Sequence, residues 1–133
     1  MTLLDTHVLI WLTTGDPRLG KDAKSRTDKA LAEDTLAVSA MSFWEIKMLH
    51  QKGRIDLHQP IDSGRKDLLD LGILEIPVTG DIGIAAAALT DLHQDPADRI
   101  IIATAAREGA LLLTADRCIL DWNGSLRRQD ARL

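Results

Sequence analysis

The sequence predicts one α/β domain in three layers, α/β/α, around a central, mostly parallel sheet. Three observations predict it. Short apolar runs alternate with stretches of helical periodicity along the chain, the pattern of a parallel sheet covered on both faces. A length of 133 residues and an apolar fraction of 45% supply one sizeable core and leave no room for a second. No repeat, low-complexity segment or linker interrupts the chain, so a single domain over residues 1–133 is expected.

Thr2 to Leu4, followed by Asp5-Thr6, predicts a short buried strand that delivers an aspartate at its C-terminal end. A helix is expected to start there and to continue through the apolar stretch His7 to Leu12 until Gly15-Asp16-Pro17 breaks the chain. Lys21 to Glu33 has the spacing of an exposed amphipathic helix, and Leu36 to Val38 is the next strand-like run. Ser39 and Ser42 offer N-caps for a helix through Trp44, Ile46 and Leu49, which Gly53 can stop in a left-handed conformation. Arg54 to Pro60 is expected to turn. Asp62 to Leu71, closed by Gly72, predicts a helix, Ile73 to Ile76 a third strand before Pro77, and the alanine-rich Thr79 to Leu89 another helix. Asp95-Pro96 sets a capping carboxylate before a proline suited to the first helical position, so Ala97 to Arg107 is expected to be helical up to Gly109. Ala110 to Leu113 is then an apolar strand that ends in Thr114-Ala115-Asp116.

The net charge of −4 provides no global attraction for a polyanion. Basic residues gather instead at Lys21, Lys24, Arg26 and Lys29, at Lys47, Lys52 and Arg54, and at Arg127, Arg128 and Arg132, each group serving as a solvated face or as a phosphate contact. Cys118 is the single cysteine, which rules out an intrachain disulfide and a cysteine metal cage. Met1 leads into an apolar segment too short for a signal-peptide core or a membrane span, so an untargeted cytoplasmic protein with no membrane partner is expected.

Four acids stand out by position. Asp5 and Asp116 follow apolar strands, and in open parallel sheets ligands bind beyond the C-terminal strand ends; either residue also serves as a helix cap or turn residue. Glu45 shares a helical face with Met41, Met48 and Leu49, which predicts a carboxylate in apolar surroundings. Asp98 shares its stripe with Ile101, Ile102 and Ala105, and Asp95 already supplies the cap of that helix. A buried charge without a partner costs several kcal/mol, so Glu45 and Asp98 need a base, a metal ion or a proton. Carboxylates about 4 Å apart repel by roughly 4 kcal/mol per pair at an effective dielectric near 20, so a converged cluster wants a cation. All-oxygen ligands suit Mg²⁺ or Mn²⁺, while zinc calls for histidine or cysteine. His7, His50, His58 and His93 have no zinc-ligand spacing and are expected at the surface or in packing.

Leu3-Leu4-Asp5-Thr6-His7, Ser42-Phe43-Trp44-Glu45-Ile46, His93-Gln94-Asp95-Pro96-Ala97-Asp98-Arg99 and Leu113-Thr114-Ala115-Asp116 resemble, in order and spacing, the successive motifs of PIN-domain ribonucleases, above all the VapC-like toxins of bacterial toxin-antitoxin pairs. The resemblance runs from Leu3 to Asp116 and implies a PIN-like fold. It implies that Asp5, Glu45, Asp98 and Asp116 are the catalytic and metal-binding acids, with Asp5 and Asp98 foremost as direct ligands. Thr114 matches a hydroxyl position that orients a ligand or water, and Ala97 stands where an aromatic is frequent. The implied activity is Mg²⁺-dependent (or Mn²⁺-dependent) endonucleolytic hydrolysis of RNA, with one or two ions neutralising the reacting phosphate. Lys47, Arg54 and Arg99 are then expected to hold flanking phosphates, although Arg99 also fits an exposed helical position. Few aromatics are available for stacking, so RNA shape is expected to matter as much as base contacts.

An antitoxin partner and a homodimer follow from the resemblance alone. The competing expectation is a catalytically silent scaffold that binds an antitoxin-like partner, the complex then binding operator DNA. A receiver-like phospho-acceptor domain also places acids at strand ends, but it needs paired acids after the first strand, where this chain has Asp5-Thr6-His7. Apolar helix faces such as Trp44 to Leu49 serve either core packing or an interface.

Overall fold

The expected strands and helices form, and a computed structural model describes them over residues 1–133. In chain order they are β1 (Thr2–Leu4), α1 (Thr6–Thr14), α2 (Lys21–Ala32), β2 (Leu36–Ser39), α3 (Ala40–Gln51), α4 (Ile61–Leu71), β3 (Leu74–Ile76), α5 (Gly80–Ala88), α6 (Pro96–Glu108), β4 (Leu111–Thr114), α7 (Arg117–Leu120) and β5 (Arg128–Asp130). The strands make one sheet in the order β3-β2-β1-β4-β5, and every neighbouring pair is parallel, so the sheet is wholly rather than mostly parallel.

Strand β1 is apolar on both faces because both are covered. Leu4, with Val38 and Leu113 from the adjoining strands, meets Val8 and Leu9 of α1 and Phe43 and Ile46 of α3. Leu3, Ala37 and Leu112 point the other way, onto Ile101, Ile102 and Ala105 of α6 and onto Ile119 and Trp122. Helix α5 packs Ile82 and Ala86 against Ala103 of α6, outside that layer. Each fully buried leucine or isoleucine contributes about 1.5–3 kcal/mol, so the two faces together fix the three-layer arrangement.

Glycines close α1, α4 and α6 as the sequence predicts: Gly15, Gly72 and Gly109 all have positive φ. Helix α3 has Lys52 as its C-cap and is stopped by the next residue, Gly53, in the expected left-handed conformation at φ 69°. Two elements lie outside the sequence expectations. Helix α7 is only 4 residues long, and β5 reads Arg-Gln-Asp with no apolar residue to betray a strand. As an edge strand β5 exposes charges where a longer apolar edge would invite aggregation. The tail after it is fastened: Ala131 is fully buried, its carbonyl accepts from Gly20 N at 2.8 Å, and the Leu133 carbonyl accepts from Ala23 N at 3.0 Å.

The face of α3 is also split differently from the expectation. Phe43 and Ile46 enter the core, while Trp44 is 56% exposed. No helix is long and apolar enough to cross a membrane.

The strand order reverses between β1 and β4: the chain builds the sheet from β1 through β2 to β3, then returns to the other side of β1. In open parallel sheets the crevice beyond the C-terminal ends of such strands is the usual ligand site. Asp5 and Thr114-Ala115-Asp116 stand at that crevice.

Candidate active site

Asp5 is placed by the end of β1 and by the start of α1. Its Oδ1 accepts from Thr6 N at 2.8 Å and its Oδ2 from Thr114 Oγ1 at 2.6 Å. The capping role and the strand-end role thus coexist in one residue. Burial at 6% exposure raises its pKa; the Thr114 hydroxyl, the Thr6 N–H and His7 pull it back, and Asp116 adds to the rise. The Thr114 oxygen also accepts from Asp116 N at 3.1 Å, so this one hydroxyl orients a carboxylate and a loop rather than facing a ligand.

Asp116 caps α7, accepting from Cys118 N at 2.8 Å through Oδ1, and leaves Oδ2 without a donor from its own helix. Glu45 is half-buried on α3, where Oε1 accepts from Thr6 Oγ1 at 2.6 Å. Thr6 in turn shares a hydrogen bond with Ser42 Oγ at 2.9 Å, and both hydroxyl residues are fully buried. The surroundings predicted for Glu45 therefore need correction: Met41, Met48 and Leu49 are only half-buried, and a threonine hydroxyl meets the carboxylate directly. Burial is the first cause of its raised pKa, followed by the opposing Thr6 hydrogen bond and the repulsion of Asp5 and Asp95.

Asp98 behaves as its stripe predicts. Ile101, Ile102 and Ala105 below it are fully buried, and its own side chain is 13% exposed. Asp95 takes the cap, accepting from Ala97 N at 3.0 Å and from Asp98 N at 3.4 Å. Burial first, then repulsion from Asp5, Asp95, Glu45 and Asp116, pushes the Asp98 carboxyl up to about 8.

All four expected acids, together with Asp95, line one cleft of about 380 Å³. An apolar hollow of about 320 Å³ between α1, α3 and α4, walled by residues such as Phe43, Leu57 and Ile61, contains none of them. Within the acidic cleft the tightest grouping is Asp98 and Asp116 with His93, whose candidate ligand atoms all lie within 4.8 Å of one another. His93 was expected at the surface or in packing, and its place here is a correction. Its Nδ1 accepts from Asp95 N at 3.4 Å. Its Nε2 is buried without a hydrogen-bond partner, 3.3 Å from Asp98 Oδ2.

The cations also differ from expectation. Arg99 is half-buried and is not free to hold phosphate. Its guanidinium donates to the carbonyls of Ala86 (3.1 Å), Ala87 (3.3 Å), Leu89 (2.7 Å), Leu92 (3.3 Å) and His93 (3.2 Å), pinning the loop between α5 and α6. Lys47 and Arg54 are exposed and lie off the cleft, where the arginines are Arg18 and Arg132. Arg18 is paired with Asp16 at 2.7 Å, and Arg132 donates to the Ala115 carbonyl. None of the converging acids has an arginine or lysine partner in an ion pair. Raised pKa values on acids with no arginine or lysine ion pair, and a donor set dominated by carboxylate oxygens, fit a hard divalent cation. No thiolate is available for zinc, because Cys118 is exposed and outside the cleft, and carboxylates outnumber the two imidazoles, His7 and His93, beside them.

The carboxylates and the Thr114 hydroxyl are legible in the sequence, whereas the hydroxyls that hold Glu45 are not. Thr6 and Ser42 are separated from Glu45 and Thr6 by 39 and 36 positions, so no local pattern links them.

The PIN domain family profile matches residues 2–121. The chain is 36% identical over 116 residues to ribonuclease VapC22 of Mycobacterium tuberculosis (strain ATCC 25618 / H37Rv), spanning 86% of both proteins. Among solved structures it resembles VapBC2 from Rickettsia felis bound to a promoter DNA fragment, with TM-score 0.69, 16% identity and 96% of each chain covered. It also resembles FitAcB from Neisseria gonorrhoeae, with TM-score 0.60, 21% identity and 89% of each chain covered. At those identities the structural likeness speaks for the fold.

Proposed function

Because this chain belongs to the PIN-domain family, we propose that it is a metal-dependent endoribonuclease that hydrolyses RNA phosphodiester bonds as the toxic member of a toxin-antitoxin pair. One observation carries the proposal: Asp5, Glu45, Asp98 and Asp116, carried by four separate parts of the fold, converge on one cleft, and none of them is ion-paired with an arginine or lysine. RNA as the substrate is supported by the likeness to a ribonuclease over most of both chains.

Asp5, Asp98 and Asp116 would hold Mg²⁺ or Mn²⁺, with Glu45 beside them. Such an ion, when bound, neutralises the reacting phosphate and makes water acidic enough to attack it. The residues of the chain do the rest. Thr6 and Thr114 fix Glu45 and Asp5 by short hydrogen bonds, so the acids keep their positions when the substrate arrives. Asp116 Oδ2 and the second oxygen of Glu45 stand free to take a proton from the attacking water.

An antitoxin partner, a homodimer and operator DNA binding by the complex belong to the same proposal, as does a cytoplasmic location. The solved toxin-antitoxin complex from Klebsiella pneumoniae supports the first, and VapBC2 bound to a fragment of its promoter supports the third. Exposed Trp44 and Ile84, at 56% and 74%, offer apolar surface for such contacts. A silent scaffold would account for the partner and the DNA, but it leaves the converging acids without a task.

The test is cleavage of structured and single-stranded RNAs by purified protein with Mg²⁺ or Mn²⁺, with chelator, and with Asp98→Asn. Cleavage is expected to require the ion and to fall at least about 100-fold in the variant. Activity that persists in chelator, or equal activity in Asp98→Asn, rejects the proposal.

A further inference from the structure

Two arginines meet one ring beside the carboxylates. The guanidinium carbons of Arg18 and Arg132 lie 4.8 Å and 5.6 Å from the centroid of the Trp11 ring, and all three residues line the acidic cleft. Trp11 is 4% exposed, so the ring is a fixed wall rather than a mobile platform. Arg18 is already matched, sending Nε and Nη2 to the Asp16 carboxylate. Arg132 is not: its Nη1 donates to the neutral Ala115 carbonyl and it makes no ion pair, leaving a full charge with Nε and Nη2 unengaged.

The position of Arg132 is nonetheless enforced. Asp130 Oδ1 accepts from its backbone N at 2.9 Å, the flanking Ala131 is fully buried, and Gly20 and Ala23 anchor the carbonyls on either side. At Gly20 an added Cβ would stand 2.2 Å from the Leu133 oxygen, so the tail and α2 are fitted to each other. An uncompensated guanidinium, held next to the loop that carries Asp116, calls for an anion. A guanidinium fork matches the paired oxygens of a phosphate.

We propose that Arg132, supported by Arg18 on the Trp11 wall, grips an RNA backbone phosphate adjacent to the one being cut and so sets how the strand lies across the carboxylates. This assignment rests on the ribonuclease reading above. It makes Arg132 a substrate-binding residue, with Arg18 as a positioning residue and secondary contact.

The test has two arms. Binding of a labelled single-stranded RNA is followed across a salt series with Asp98→Asn protein, and cleavage kinetics are measured on the metal-loaded protein with Asp98 intact. Arg132→Gln is expected to flatten the slope of log K against log salt by about 0.7, the loss of one phosphate contact on a single strand. In cleavage it should raise KM roughly tenfold and leave kcat within about threefold, as removal of a contact equal in ground and transition states does. Arg132→Lys should keep the slope and recover only part of KM, because it restores charge without the fork. Arg107→Gln, an exposed arginine paired with Asp81 and off the cleft, should change neither reading. Melting curves verify that each variant is folded, and Arg132→Lys carries the comparison if Arg132→Gln is not. Unchanged slope and KM in a folded Arg132 variant, with cleavage by the unaltered protein intact, overturns the phosphate grip and leaves the nuclease reading standing. An unaltered protein that neither cuts nor binds RNA overturns both.

Discussion

Asp98 is the residue on which the electrostatics of the site turn. Its carboxyl, pushed up to about 8 by burial and by four neighbouring acids, is mostly protonated at neutral pH in the metal-free protein. A folded-state pKa above the unfolded value contributes stability that is present below about pH 4 and lost as pH rises toward 8. Asp5 and Glu45, also raised, act in the same direction. Metal-free protein should therefore melt at progressively lower temperature between pH 5 and pH 8. Asp98→Asn should flatten that profile and exceed the unaltered protein at pH 8 by about 1–2 kcal/mol, read as a shift of several degrees in Tm. A parallel profile in the two proteins would show that Asp98 carries no such burden. Asp98 was legible in the sequence because Ile101, Ile102 and Ala105 define the face it occupies. Thr6 was not: its hydroxyl is tied to Glu45 across 39 positions, and a threonine opening a helix has many other uses. Thr6→Val should leave the fold intact, lower cleavage about tenfold or more by freeing Glu45, and leave metal affinity less affected; a variant with full activity would remove Thr6 from the site.

At the level of elements, helix α6 does more than carry Asp98. Arg99 binds five carbonyls at the end of α5 and in the following loop, and so fixes the backbone of His93 beside the acids. Replacing it by leucine strands several of those carbonyls, and a loss of about 2–4 kcal/mol in stability is expected from denaturant melts. Arg99→Lys should recover a minor part, since one ammonium cannot span the same acceptors. Hydrogen exchange that rises first across residues 89–94 in the leucine variant checks the assignment; exchange unchanged there contradicts it. The sequence revealed α1 to α6 and β1 to β4 through apolar periodicity, caps and glycine stops. It concealed β5 because Arg128, Gln129 and Asp130 pair through backbone alone, beside β4, and a strand of that kind leaves no hydropathic trace. With β5 went the position of Arg132, which the sequence placed only in a basic tail.

Across the whole molecule, a net charge of −4 coexists with a polyanion as the proposed substrate because charge is distributed by function. The wholly parallel sheet brings Asp5 and Asp116 together at the point where its order reverses, and α3 and α6 add Glu45 and Asp98 from the layers on either side. A divalent cation bound there would remove the mutual repulsion that raises the Asp98 pKa. Binding must then expel the proton that Asp98 holds at neutral pH. Calorimetric titration of Mn²⁺ at pH 7 in buffers of different ionisation enthalpy measures both events at once. Saturable binding with release of roughly one proton is expected, and markedly weaker binding with little release in Asp98→Asn. Absence of binding by the unaltered protein, or equal affinity and proton release in Asp98→Asn, would contradict this expectation.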